Sequence, residues 1–329
     1  MSNRRNFLRA VGAGAAVAPM FANAQVQPGR PYRIGIIALG ETSLLPPSLI
    51  SSFVASMRDL GYVEGRNVVY ELRSARGDID RLAGLAAELV QLPVDVISVG
   101  NTASTLAAKN ATSTIPIVMT GTNDPVGNGL VASLARPGGN ITGLSGNAGV
   151  EIVGKMLQIL KDSVPGMSKV GLLIGPAQGR SGEDLKSLAL KLGLSVVPCD
   201  EIRRLEDIES AFSFFVKQRV DGFCDLGGAV TYSRRQQIAD LALAHRLPGI
   251  GGMREFPLAG LLLSYGANFG DILRRSAIYV DKILKGASPS NLPIEQPILF
   301  DWVINMRTAR SLGVAVPQAI RLSATEVID

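Results

Sequence analysis

Two short polar stretches hold the side chains of this 329-residue chain best suited to gripping a small molecule. The first is Gly100-Asn101-Thr102-Ala103-Ser104, and the second is Thr120-Gly121-Thr122-Asn123-Asp124-Pro125. Asn, Ser and Thr bring amide and hydroxyl hydrogen-bonding groups, and Asp124 brings a carboxylate. Neither stretch pairs a nucleophile with a base, so the chemistry they offer is binding. Asn101 or Thr102 can cap a helix that begins there. The N–H groups free at a helix start favour an anion, which makes a ligand carboxylate the expected guest. The hydroxyls of Thr102 and Ser104 add donors, and Asp124 would accept a ligand ammonium. Its place before Pro125 predicts an extended backbone. Amides for a carboxylate, facing one acid, suit an amino acid. The competing reading makes Thr102 only a cap and Asp124 only a turn residue.

Such loops need rigid elements behind them. Residues 94–99 and 115–119 are apolar runs rich in β-branched residues, and they read as buried parallel strands with a helix over 102–111 between them. In an open α/β sheet a ligand sits beyond the carboxyl ends of the strands, where both polar stretches fall. A strand over 33–39 opens the pattern, and its following loop adds Thr42 and Ser43 to the candidates. A helix over 48–61 closes at Gly61, and a strand covers 67–73. The helix over 78–92 carries Ile79, Leu82, Leu85, Ala86, Leu89 and Val90 on one face, which is a core-facing stripe.

The second half repeats the alternation. Helices are expected over 150–162, 205–218, 233–246 and 271–284, with a further one ending near 192. Strands are expected over 170–174, 195–198, 222–226 and 249–252, then 298–305 followed by a helix over 306–312. Gly227 and Gly228 permit either close approach to a ligand or a tight turn. Thr231 and Tyr232 follow in the same loop and can line a cleft. Arg254, in a loop over 253–256, can pair with a ligand acid or with a surface acid. Glu206, Asp207 and Glu209 load a helix start, where the dipole favours acids. Residues 149–155 fit most of a phosphate-binding loop, but Met156 stands where a Ser or Thr should bind magnesium, so nucleotide binding is rejected there.

Composition excludes more than it selects. Arg4-Arg5, an apolar run over 10–21 and Ala22-Asn23-Ala24 read as a twin-arginine export signal over 1–24, cleaved after about Ala24. That apolar run is shorter than the roughly 20 residues a membrane-spanning helix needs. Removing Arg4, Arg5 and Arg9 takes the 33 basic residues to 30 against 28 acidic ones, a net of +2. Neither a basic stripe nor a reading helix is visible, so no nucleic-acid partner is expected. Cys199 and Cys224 both end strand-like runs, and buried thiols or a disulfide remain open for them. The single histidine, His245, lies at a helix end. No metal set, cofactor motif or catalytic constellation is expected.

The segments VGNTASTLAAKNATSTIPIV, NDPVGNGLVASLARPGGNITGLS, GLLLSYG and QPILFDWVINMRTARSLG resemble the family of ABC-transporter substrate-binding proteins, a likeness running from about Arg33 to the C-terminus. The resemblance implies an α/β fold of the type I periplasmic binding kind: two doubly wound parallel-sheet lobes joined by a three-crossing hinge. It implies lobe 1 over 30–143 plus 265–292 and lobe 2 over 144–264 plus 293–329. Residues 141–145 would make the first crossing and 260–266 the second, with Ser264 and Tyr265 at the hinge edge near the ligand. Relatives often carry a polar or acidic residue near Gly228, and this chain departs there. The implied function is an extracytoplasmic solute-binding component of an ABC importer, periplasmic, binding a small polar ligand such as an amino acid and partnered by a membrane permease. A sensory accessory to a membrane kinase, or an enzyme on the same scaffold, are the alternatives. The expected ligand-binding set is Thr42, Ser43, Asn101, Thr102, Ala103, Ser104, Asn123, Asp124, Gly228, Thr231, Tyr232, Arg254 and Tyr265.

Overall fold

A computed structural model describes residues 30–39, 47–146, 150–175, 182–204, 206–226 and 228–329. Residues 1–24 (expected to be an export signal), Thr42, Ser43, Gly227 and most of the loop over 175–180 lie outside the described residues. In the first half, β1 (Tyr32–Ala38), α1 (Pro47–Asp59), β2 (Val68–Ser74), α2 (Leu82–Gln91), β3 (Val96–Val99), α3 (Thr102–Ala111), β4 (Ile117–Thr122) and β5 (Ile141–Ser145) follow in turn. The strands lie in the order β2-β1-β3-β4-β5, every pair parallel. That is a doubly wound order, with its switch between β1 and β3. Strands β3, β4 and β5 are buried along their whole length, which explains their unbroken apolar and small-residue runs. Helix α2 turns Leu82, Leu85, Ala86 and Leu89 to the core, and a 3-10 turn capped by Asp78 precedes it.

The second half contains α4 (Val150–Ser163), β6 (Lys169–Ile174), α5 (Gly182–Lys191), β7 (Ser195–Pro198), α6 (Glu206–Gln218) and β8 (Gly222–Leu226). It continues with α7 (Ala229–Ser233), α8 (Arg235–Ala244), β9 (Gly249–Gly251), α9 (Glu255–Leu258), β10 (Leu263–Ala267) and α10 (Phe269–Leu284). The chain closes with β11 (Phe300–Asn305), α11 (Met306–Leu312), α12 (Gln318–Ser323) and β12 (Glu326–Ile328). The sheet order is β12-β11-β10-β9-β8-β6-β7. Its parallel part, β7-β6-β8-β9-β10, repeats the winding of the first sheet. Strand β11 then pairs antiparallel with β10, and β12 parallel with β11. The pattern of apolar residues predicts β11 but not its direction, and it misses α12 and β12, which are short and half exposed. The core behind this sheet is aromatic: Phe212 meets Phe223 edge-on at 5.1 Å, and Gly171 leaves room for Phe215.

The chain passes between the sheets after β5, between β10 and α10, and again before β11. Helix α10 follows the fifth parallel strand of the second sheet but packs on α1, β4 and β5 of the first. The crossings hold one another. Ser145 N donates to Glu295 O at 2.9 Å, Glu295 N donates to Gly143 O at 3.1 Å, and Asn268 N donates to Leu299 O at 2.9 Å. Arg275 pairs with the Glu295 carboxylate, and Tyr279 donates from its hydroxyl to Glu295 Oε1 at 2.9 Å. Burial opposes ionisation of Glu295, but Arg275 and Tyr279 outweigh it and hold that carboxyl below its ordinary range.

The cysteines are free and buried. Strand β6 runs between them, with Leu172 opposite both Pro198 and Cys224. Two strand spacings put the thiols roughly 10 Å apart, beyond disulfide reach. His245 ends α8 and stacks on Phe212 at 6.3 Å, a packing role. Among the described residues no helix is long and apolar enough to cross a membrane, and no three His, Cys, Asp or Glu side chains group as a metal site.

Candidate functional site

At the carboxyl end of the first sheet, Asn101 caps α3. Its backbone is extended at φ −159°, and its Oδ1 accepts from Ser104 N at 2.9 Å. Asn101 O accepts from Thr105 N at 3.0 Å. The N–H groups of Thr102 and Ala103 are therefore the donors that the helical ladder and the cap leave at this end. Of the two cap readings, Asn101 takes the role, and Thr102 is the first helical residue.

The two polar loops are locked to each other. Thr105 Oγ1 lies 2.7 Å from Thr122 Oγ1, and Thr120 Oγ1 donates to Val99 O at 3.2 Å. Thr102 Oγ1 reaches Asn123 O at 3.4 Å. Asn128 Nδ2 holds the carbonyls of Asn123 and Asp124 at 3.0 and 2.9 Å. Ser104 is fully buried and bonded to Asn101 Nδ2 at 3.0 Å, so its hydroxyl serves the cap. The structure thus brings Asn101, Thr102, Ala103, Ser104, Asn123 and Asp124 to one place.

Asp124 departs from the extended backbone expected before Pro125. Its φ is +40°, a left-handed conformation that Asp tolerates better than most residues. Its Oδ1 accepts from Gly127 N at 2.9 Å, a turn hydrogen bond. Gly121 is at φ +132°, and a Cβ there would lie 2.7 Å from Phe269 Cε1. Phe269, the first residue of α10, therefore sits close against Gly121 at the end of β4. Reading the sequence missed Phe269, because only the second crossing brings it there.

The carboxyl end of the second sheet is built differently. The segment expected as a loop after β8 is mostly helix α7, entered through Gly228 at φ +69°. This winding buries Thr231, whose Oγ1 donates to Gly228 O at 3.1 Å. It also buries Tyr232, 6% exposed, with its ring edge-on to Phe256 at 6.3 Å. Arg235 lies over that ring at 4.9 Å and donates to Tyr232 O at 3.1 Å. The Tyr232 hydroxyl is one of the buried polar atoms without a hydrogen-bond partner, as is Ser145 Oγ at the end of β5.

The loop expected over 253–256 starts α9 instead, and Arg254 pairs with Glu326 on β12 at 2.7 Å. Of its two sequence readings, the surface acid is the partner in the structure. Glu255 was not singled out in the sequence. Burial pushes its carboxyl above the ordinary range. Its own N–H, Arg254 and Arg235 pull it back, and Asp301 adds to the rise. Burial also pushes the Tyr232 phenol up, with the Glu255 charge reinforcing and Arg235 opposing. Tyr265 on β10 stacks on Phe300 at 5.9 Å with planes 9° apart. Beside them Asn268 caps α10 and donates to Asp301 Oδ1 at 2.9 Å.

A family model described as ABC transporter substrate binding protein matches residues 46–328. A tyrosine-binding protein of Clostridioides difficile is 27% identical over 284 residues, covering 85% of this chain and 81% of that protein. A crystal structure of a conserved domain protein from Vibrio cholerae is 26% identical with a TM-score of 0.82, covering 91% of this chain and all of that one. The structure of an ABC domain from Streptococcus pneumoniae in complex with L-Trp is 23% identical with a TM-score of 0.81, again covering 91% of this chain.

Proposed function

This chain belongs to the family of ABC transporter substrate-binding proteins, and from that premise we propose that it captures an amino acid outside the cytoplasmic membrane and delivers it to an ABC permease. The observation carrying this reading is the capped start of α3. It leaves the Thr102 and Ala103 N–H groups at the carboxyl ends of parallel strands, next to the locked loop over 120–124. A helix N-terminus in that position suits a carboxylate. The tyrosine-binding relative makes L-tyrosine the first ligand to try. Phe269, Tyr265 and Phe300 are aromatic surfaces near the crossings on which an aromatic side chain could stack.

In this reading the two sheets are lobes that close over the ligand by bending at the three crossings. Asn101, Thr102, Ala103 and Asn123 hold the ligand from the first lobe. Asp124 shapes the turn, since its carboxylate already serves Gly127 N. The ligand is released unchanged. The export signal would place the mature protein in the periplasm. Mass spectrometry of small molecules released from the purified mature protein, followed by calorimetry with L-tyrosine, tests this. An amino acid recovered intact and rebound with micromolar or tighter affinity is the expected result. Recovery of a sugar or a metal complex, or conversion of the bound amino acid, would overturn it.

A further inference from the structure

The first sheet offers donors and has used its acid in a turn, so an amino-acid ligand still needs an acceptor for its ammonium. The carboxyl end of the second sheet holds the Tyr232 hydroxyl, which has no hydrogen-bond partner, and the Glu255 carboxylate, which bonds its own N–H. Tyr232 and Glu255 follow adjacent strands, β8 and β9. The Tyr232 ring is fixed by Phe256 on one side and by Arg235 above. Its hydroxyl is buried without a hydrogen-bond partner, and its ring packs on Phe256, the residue that follows Glu255 in α9. A buried hydroxyl left unbonded is costly, so an unpartnered one marks a place for a polar partner.

The charges around this point have a sign. Arg254 is neutralised by Glu326 on β12. Arg235 on α8 and Asp301 on β11 also act on Glu255. With Arg254 and Glu326 offsetting each other, the Glu255 and Asp301 carboxylates remain with Arg235. A cation is the complementary guest.

We propose that Glu255 and the Tyr232 hydroxyl form the ammonium site, gripping from the second lobe the amino acid whose carboxylate the start of α3 holds. The proposal rests on the amino-acid reading above. It assigns recognition of the charged amine to Tyr232, already among the expected ligand-binding residues, and to Glu255, which is not among them. An ammonium has three N–H donors, of which Glu255 takes one in a charged hydrogen bond and Tyr232 a second.

The test compares L-tyrosine with 3-(4-hydroxyphenyl)propanoate, which has the same ring and carboxylate but no amine. Calorimetry at pH 7.5 is run on the wild type, Glu255→Gln and Tyr232→Phe, with thermal melts as a check on folding. Wild type should prefer the amino acid by about a hundredfold. Glu255→Gln should lose about thirtyfold for L-tyrosine and nothing for the des-amino compound, and Tyr232→Phe about fivefold with the same selectivity. Should Glu255→Gln fail to fold, the Tyr232→Phe ratio decides alone. A variant that keeps the wild-type preference, or weakens both compounds equally, overturns the ammonium site while leaving the amino-acid reading intact. A wild type that binds no amino acid overturns both.

Discussion

The two sheets share a winding order, yet their carboxyl ends are built from different materials. The first end is made of short side chains, Asn101, Thr102, Thr105, Thr120 and Thr122, bonded to backbone and to each other. The second is made of long charged and aromatic side chains, Tyr232, Arg235, Arg254, Glu255 and Glu326, drawn from segments almost a hundred positions apart. Short residues bonded to their own backbone make a preorganised cradle for a group common to many ligands. Long residues leave a hydroxyl and a carboxylate incompletely satisfied, and such groups reward only a ligand that completes them.

The sharpest way to break this comparison is to neutralise one acid on each side. Glu255→Gln should weaken L-tyrosine binding by ten- to a hundredfold, the range for losing a charged hydrogen bond. Asp124→Asn should change it less than about threefold, because the Asp124 side chain serves the turn. Titration calorimetry on the pair decides, and a reversed order would return the ammonium to the first sheet. Next in size is Asn101→Ala. Losing the cap of α3 should cost about 1 kcal/mol of stability, read as a lower urea midpoint, with a few-fold loss of affinity as the N–H groups lose their aim.

Acid and base sharpen the contrast further. The Glu255 carboxyl is raised in the folded state, so its favourable contribution is present below the ordinary glutamate pKa and is lost as pH rises through the raised value. Glu255→Gln should therefore melt about 1–3 °C above wild type at pH 8, and the gap should close below pH ~4. Glu295 has the opposite sign. It is lowered by Arg275 and Tyr279 against burial, so its contribution is present above the ordinary pKa and is lost as pH falls through the lowered one. Melting curves of Glu295→Gln should accordingly converge on wild type only in acid. The smallest effect belongs to Arg254→Ala. Its bridge to Glu326 joins side chains 40% and 38% exposed, so less than about 1 kcal/mol is expected in a urea melt.

What the sequence makes legible follows the same division. Thr102–Ala111, Ser195–Pro198, Gly222–Leu226 and Met306–Leu312 stand where periodicity and turn residues place them. The first end is legible as well, because a cap and its helix are neighbours in the chain. The second is not, since no local pattern says that Phe256 packs on Tyr232 or that Arg254 finds Glu326. Helix α7 is missed because two glycines ahead of Thr231 and Tyr232 read as a loop, whereas the chain enters a helix at Ala229. The backbone of Asp124 is misjudged because the bias before proline is overcome by the turn bonds from Gly127 and Asn128.

The double hold on Glu295 has a mechanical consequence. Its main chain is stitched to Gly143 and Ser145, and its carboxylate to Arg275 and Tyr279, all of which travel with the first sheet. Any swing of one half against the other must be absorbed beyond that clamp. On this crossing the stretch left for the proposed closure to bend is Ile298-Leu299, 69% and 53% exposed, beside the backbone bond from Asn268 N to Leu299 O. In the closure proposed above, bending there would turn the second half next to Tyr265, Phe300 and Asp301.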